Sequence, residues 1–546
     1  MRRTLLAGLL AVTCWLAMSA TAAAADSVRG NVVNVQWLEK NLANADVVVL
    51  DASPASVFAK KHIPGAVNVD VYSFGANDPT AAEMESRIQS WGISPGKSVV
   101  LYDQGGTYLA TRLFFDLYYH GYPAADLLVL DGGLAKWQEA GGTVTQEVRV
   151  PERGSFRVTR VNEDARIRLP AFLVASGDPK THALIEALEP SYHFGEAKFF
   201  DRAGHVPNAV MMPGADFYNA DKTFKSSEEI RRLLAYHGIR PDQKISTYCG
   251  GGIAASVPFF ALRFIAGYPQ VSLYKESQLE WLRDDRGLPL WTYDAPQLAR
   301  EMAWLNGWGS RMLRMFDVAK LSVVDVRPAA AYRQGHVPFA VNVPAETFAK
   351  LRDDPAQLAS ALGAAGVNPA EEAVIVSDKA VTGNAALAFV ILESLGQSKV
   401  SVMMGSADDW GFRGFPLAKE PTVVGAKKSP QDLAVPAVAY KASPRSGVMI
   451  RETGATKGPF PRVFLASGAK PLAKAPDGKL IHVPSSELLN ADGTPKPAKD
   501  LWNILAKAGL PRYAEIICVA DDPGDAAINY YILRLMGYPD VKVLLS

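Results

Sequence analysis

Residues 47–70 read VVVLDASPASVFAKKHIPGAVNVD. Val47 to Ala52 is a continuous apolar run, PASVFAKKH suits a short helix, and GAVNVD returns to an extended pattern. A β-branched run with no polar alternation belongs to a strand covered on both faces, as in a parallel sheet. The same order continues downstream. Ser98 to Asp103, SVVLYD, is a second buried strand, Leu109 to Tyr119 is an amphipathic helix, and DLLVLD is another strand. Strands alternating with helices predict an α/β fold, a parallel sheet with helices on both faces, in which ligands gather at the carboxyl ends of the strands.

This block is repeated. HIPGAVNV at His62 recurs as HVPNAVMM at His205 and HVPFAVNV at His336, at intervals of roughly 140 residues, too long for a solenoid repeat. HGYP at His120 to Pro123 recurs as AGYP at Ala266 to Pro269 and MGYP at Met536 to Pro539, with Ser394, Leu395 and Gly396 at the third place. A tryptophan follows a strand at Trp137, Trp281 and Trp410. In the last stretch IHVPSSELLNADGT, from Ile481 to Thr494, echoes VMMPGADFYNADKT from Val210 to Thr223, and the chain ends at VKVLLS before any tryptophan. Four domain-sized units therefore follow one another.

Composition agrees with several ordinary globular domains. The chain has 546 residues, 48% hydrophobic and 21% charged, with 57 basic and 56 acidic side chains. That balance argues against a disordered tail or a polybasic nucleic-acid binder. Arg2 and Arg3 precede an apolar stretch from Leu5 to Met18 and the small residues Ala22 to Ala25, which reads as a secretory signal peptide cut after Ala25. The stretch is shorter than the roughly 20 residues of a spanning helix, which disfavours a retained anchor. A periplasmic or secreted location follows as the expectation, with no membrane span after cleavage. Three cysteines, Cys14, Cys249 and Cys518, are too few for a disulfide framework or a structural zinc cluster. The eight histidines show no paired metal-ligand spacing, and His62, His205 and His336 read as turn-stabilising residues because they recur at one place.

The loops after the SVVLYD-like strands differ in their chemistry. The second unit reads ISTYCGGGIAAS, with Cys249 at the strand end, Gly250, Gly251 and Gly252 after it, and a helix predicted from about Ala254. The first has Asp103 or Gln104 there, the third Asp378, and the fourth Ala520 and Asp521. A thiol between a strand end and a helix start faces backbone N–H groups and the positive end of the helix dipole, which favours thiolate. Glycines let the backbone curl around the sulfur into an anion-holding nest. Cys518, inside the apolar run IICVA, reads as a buried core residue. A Cys249 to Cys518 disulfide would silence the site. Asp103 and Asp378 read as helix N-caps.

The combination of D-A-x-P, GH[IV]P-x-A, YCGGGIAA, GYP and the following tryptophan resembles the rhodanese sulfurtransferase family, in an exported form with four tandem rhodanese-like domains. The resemblance divides the chain into a signal peptide at 1–25, an inactive first domain at 26–150, an active second domain at 151–290, a connecting segment with an inactive third domain at 291–425, and a degenerate fourth domain at 426–546. The tryptophan-rich segment from Arg283 to Phe316 reads as the connection between two pairs, packed against a domain. The resemblance implies that Cys249 takes a sulfane sulfur from thiosulfate, a polysulfide or a persulfide, carries it as a persulfide, and passes it to a thiophilic acceptor. Gly250, Gly251, Gly252, Ile253 and Ala254 would supply backbone N–H groups to the substrate. No metal or organic cofactor is implied, and no nucleic acid.

Two departures bear on the donor. The loop from Cys249 to Ala254 has no charge where thiosulfate-using relatives commonly carry Arg or Lys, and Glu186 and Leu188 stand where Asp and Arg are usual. Arg202 or a basic residue of the first unit is the expected substitute for substrate contact. Phosphatase chemistry on a related fold needs an arginine closing the loop, and none occurs before Arg263. Three units with no cysteine in the loop leave a second functional class open, a periplasmic sulfur carrier or a scaffold for a redox or sulfur-relay protein.

Overall fold

The computed structural model describes residues 28–74, 78–316, 318–426, 428–429, 434–454, 458–470, 472 and 478–545. Residues 1–25, read above as a signal peptide, and Cys14 within them lie outside the described residues. The chain forms two compact units, one built by the first domain with Ala220–Thr223, the other by the second, third and fourth domains.

Each domain holds one parallel sheet, and all four share one strand order. In the second domain it runs Arg166–Ile167, Val271–Tyr274, Lys244–Tyr248, His182–Glu186 and Ala209–Met211. The third domain repeats it with Ala299–Arg300, Lys399–Ser406, Glu372–Ser377, Leu321–Asp325 and Val341–Asn342. The fourth does so with Met449–Ile450, Val541–Leu544, Glu515–Val519, Arg462–Ala466 and Lys479–His482. The first adds an antiparallel turn, Val28–Arg29 on Val32–Val33, to the edge of the same arrangement. The strand that precedes the loop of interest is central in every sheet, and its side chains are buried on both faces, as the apolar runs require.

The recurring landmarks turn out to be structural devices. Gly121, Gly267, Gly396 and Gly537 of the GYP-like turns all have φ between +74° and +87°, the left-handed conformation that ends a helix at little steric cost. The amide after each glycine reaches back into the helix, Tyr122 to Leu117, Gln397 to Leu392 and Tyr538 to Leu533. In the second domain the reach is one residue longer, Tyr268 to Leu262, because Ala261–Ile265 forms a π turn. The buried tryptophans Trp137, Trp281 and Trp410 each donate Nε1–H to a downstream carbonyl, Thr143 at 2.8 Å, Pro289 at 2.7 Å and Pro416 at 2.9 Å. The segment so anchored then pairs with the recurring histidine: Thr145 with His62, Trp291 with His205 and Ala418 with His336. Tryptophan and histidine thus recur together because one holds, and the other receives, the strip that closes the domain.

The segment from Arg283 to Phe316 is not one linker. Leu288 to Trp291 completes the second domain, Ala299–Arg300 is already the first strand of the third sheet, and Met302–Trp308 is a helix on it. Tyr293 and Ala295 in between bond to the fourth domain, at the carbonyls of Lys496 and Leu535. The third and fourth domains share a core. Helices Gly383–Ser394 and Pro523–Leu535 cross so closely at Gly383 and Gly524 that a Cβ on Gly383 would lie 3.2 Å from the Gly524 Cα.

Replacing Trp137 with alanine removes a buried indole and the anchor of the closing strip. The expected outcome is a loss of about 3–5 kcal/mol, seen as an earlier first transition in thermal unfolding with the later transition unmoved.

Candidate active site

Strand Lys244–Tyr248 ends in a loop whose backbone is fixed from below. The Cys249 N–H donates to Ser277 Oγ at 3.1 Å, its carbonyl accepts from the Gln278 amide at 3.0 Å, and the Gly250 carbonyl accepts from the Leu279 amide at 2.9 Å. Ser277 has φ +53°, an uncommon value for a residue with a side chain, and it lies directly under the cysteine. Gly252 has φ +77°, and a Cβ there would stand 2.3 Å from the Lys275 carbonyl oxygen, so the loop cannot keep this course with a larger residue. Cys249 is 2% exposed. The helix begins at Ser256, two residues later than expected, and passes into the π turn at Ala261.

Sequence reading grouped Gly250, Gly251, Gly252, Ile253 and Ala254 as backbone donors, and the structure brings them together as one loop. Among the described residues, the amides of Gly250, Gly251, Ile253 and Ala254 meet no acceptor. Over Gly250 lies the ring of Phe199, 3.3 Å from where a Cβ would be, 52% exposed and stacked on Tyr192 at 4.1 Å. Arg202 does not serve the loop. Its terminal nitrogens donate to the carbonyls of Leu288 at 2.5 Å and Trp281 at 2.7 Å, pinning the closing strip of the second domain.

The equivalent loops show what such a nest requires. In the ladders, Tyr102, Tyr248, Val376 and Val519 pair with Asp51, Glu186, Asp325 and Ala466, which places Asp103, Cys249, Ser377 and Ala520 at one position. Asp103 fills its nest with its own carboxylate, which accepts from Gly105 N at 2.8 Å, Thr107 Oγ1 at 2.6 Å, Leu109 N at 3.1 Å and Ala110 N at 3.0 Å. It caps the helix Leu109–Tyr119, as expected. Asp378 does not: it is exposed, Ser377 occupies the position, and Thr382 caps the helix by accepting from Ala385 N at 3.1 Å. The unbroken ladder of Leu321–Asp325 with Glu372–Val376 makes Ser377, and not Asp378, the residue that follows the strand at this position. In the fourth domain Asp522 is the cap. Cys518 sits in the central strand, fully buried, where burial pushes its thiol pKa well up. Both Cys249 and Cys518 are free thiols, so no bridge joins them.

Behind the loop is a cluster the sequence does not announce. Gln278 donates from Nε2 to buried Glu186 at 2.6 Å. His193 Nδ1 faces the other Glu186 oxygen, and His193 Nε2 faces Asp294 Oδ1 at 2.6 Å. His205 lies parallel to His193 with centroids 3.7 Å apart, its Nε2 3.4 Å from the same Asp294 oxygen. Burial works against charge on His193, but the carboxylates of Asp294 and Glu186 outweigh it and bring its pKa up to about 9. Burial, with the neighbouring His193, takes His205 down to about 4. The absence of paired histidine spacing misled here: His193 and His205 are twelve residues apart, and Asp294 comes from the far end of the domain. In the first and third domains the ring stacked on the recurring histidine is four residues before it, Phe58 on His62 and Tyr332 on His336. The recurring histidines otherwise behave as expected, each bonding a nearby carbonyl through Nδ1.

Asp103→Ala removes the acceptor shared by four donors, three of them buried. Stability of the first domain should fall by about 2–3 kcal/mol, measured by denaturant unfolding, with the Cys249 loop unaffected.

With the site in place, comparison with known proteins is informative. The family Rhodanese-like domain matches residues 34–140, 176–284 and 310–412, more than half of the chain. The chain is 30% identical over 267 residues to the protein named "Sulfur carrier protein TtuD" of Thermus thermophilus, covering 46% of this chain and 93% of that one. It is 31% identical over 278 residues to the "Probable 3-mercaptopyruvate sulfurtransferase" of Pseudomonas aeruginosa, covering 47% of this chain and 96% of that one. Among solved structures, SseA of Escherichia coli, described as having the "Rhodanese" fold, aligns over 45% of this chain and 98% of its own at 24% identity, with a TM-score of 0.42.

Proposed function

The chain belongs to the rhodanese-like family, and from that we propose that its second domain is a sulfurtransferase centre with Cys249 as the nucleophile. The observation that carries this reading is the contrast between two equivalent loops: the first domain fills its ring of donors with Asp103, whereas the second leaves the amides of Gly250, Gly251, Ile253 and Ala254 to an anion brought by the reaction. The Cys249 thiolate attacks the outer sulfur of a donor. The donor's S–S bond breaks, its electron pair leaves with the donor remnant, and a new S–S bond makes the cysteine persulfide. An acceptor nucleophile then attacks the outer sulfur and releases the thiolate, so no external oxidant or reductant is needed. The loop amides stabilise the negative charge of thiolate and persulfide alike.

An uncharged loop beside the Phe199 ring suits a polysulfide or a persulfide better than thiosulfate, whose sulfonate calls for a cation. Arg202 is engaged elsewhere. A second reading, a sulfur carrier with little turnover, draws on the 2% exposure of Cys249 and on a relative named as a carrier. The reading of residues 1–25 as a signal further places the mature protein in the periplasm or outside the cell, which intact mass of the exported chain would check against a start at Asp26.

Treatment with polysulfide should add one sulfur to Cys249 by intact mass, and cyanide or a thiol should remove it with turnover. Cys249→Ser should reduce turnover by on the order of 10³-fold or more. Sulfur loading without turnover would favour the carrier; no loading would overturn both readings. Gly251 has open space where its Cβ would go. Gly251→Lys should therefore raise kcat/KM for thiosulfate by about tenfold, as expected for a charge-assisted hydrogen bond to the sulfonate.

A further inference from the structure

The cluster behind the loop has more polar capacity than packing requires. In the first and third domains an aromatic ring, Phe58 or Tyr332, stacks on the recurring histidine. In the second domain a second imidazole, His193, does so. His193 Nδ1 is held by the Glu186 carboxylate and His205 Nδ1 by the His193 carbonyl at 2.9 Å. Both Nε2 atoms are thereby turned toward Asp294 Oδ1, at 2.6 Å and 3.4 Å. His205 Nε2 is fully buried and makes no hydrogen bond. Asp294 is 21% exposed and opens onto a cavity of about 250 Å³ between the second and fourth domains, lined by Phe194, Met211, Trp502 and Tyr538. The Tyr538 hydroxyl in that wall is buried without a partner.

We propose that His193, His205 and Asp294 form a binding site for a divalent transition-metal ion of the zinc class, with a remaining coordination position facing the cavity. Two imidazole nitrogens and one carboxylate oxygen are the donors such an ion takes, whereas calcium and magnesium prefer oxygen alone. The second layer is in place as well: a metal-bound histidine ordinarily gives its other N–H to a carboxylate or a backbone carbonyl, and here one does each. A dication also neutralises the two carboxylates carried into the cluster. The ion takes the place of the proton between His193 Nε2 and Asp294, which leaves to solvent. The two rings splay from their parallel stack so that both lone pairs converge, at distances of about 2.1 Å.

The site is tested on the full chain carrying Cys249→Ser, which removes the loop thiol as a competing ligand. Titration with Zn²⁺ should show one tight equivalent. Co²⁺ should give visible ligand-field bands without a thiolate charge-transfer band. His193→Phe, which restores the ring found at Phe58, and Asp294→Asn should each weaken Zn²⁺ binding by at least tenfold, while circular dichroism and thermal unfolding of the metal-free variants report an intact fold. Absence of Zn²⁺ binding in the Cys249→Ser chain, or unchanged affinity in folded His193→Phe and Asp294→Asn variants, would overturn the proposal. Because the nucleophile is absent throughout, the outcome is independent of whether Cys249 transfers sulfur.

Discussion

Every domain of this protein has to answer the same electrostatic demand. A central strand buried on both faces ends at the sheet edge, the chain turns sharply, and a helix begins with backbone N–H groups that have no partner of their own. Something negative or lone-pair bearing must sit there. The first domain supplies the Asp103 carboxylate, the third the Thr382 hydroxyl and the fourth Asp522. Only in the second is the position given to a sulfur with a glycine loop around it. Catalytic potential here is a structural requirement left unfilled by the local chain.

The parts of this design that repeat were legible in the sequence, since a repeat reports what the fold needs regardless of activity. The GYP-like turns need a left-handed residue, and the histidines and tryptophans close the first three domains, so both occur in domains without the loop cysteine. What failed to show were features that depend on ladder register or on distant segments. The pairing of Asp325 with Val376 makes Ser377, not Asp378, the counterpart of Cys249. The delay of the helix start to Ser256 reflects a loop that closes over Lys275, a contact made in space. Arg202 lies next to the GHVP block but is claimed by carbonyls roughly eighty residues downstream. Two of the tryptophans between Arg283 and Phe316 did signal packing, Trp291 in the second domain and Trp304 on the core of the third, whereas Trp308 is exposed.

The fourth domain explains why the family matches three stretches while the chain folds four sheets. It lacks the histidine that receives the closing strip in the other three domains. Its five strands are its own, and its helix is covered by the third domain. The helix Pro523–Leu535 packs on Gly383–Ser394, Tyr530 donates to Glu393 of the third domain at 2.7 Å, and the apolar side chains of both domains merge. A sequence free of the demands of self-closure can drift far and keep its architecture, provided the shared face stays apolar.

That helix crossing also bears on how the protein is made. Gly383 and Gly524 meet with no room for a side chain between them, so the third domain cannot finish its core before the helix Pro523–Leu535 is available to cover it. Its helix Gly383–Ser394, buried almost throughout, stays uncovered until Pro523–Leu535 has emerged. The first domain, a compact unit of its own, can close long before. Translation therefore delivers the first domain early and a later pair whose shared core waits for the helix of the fourth.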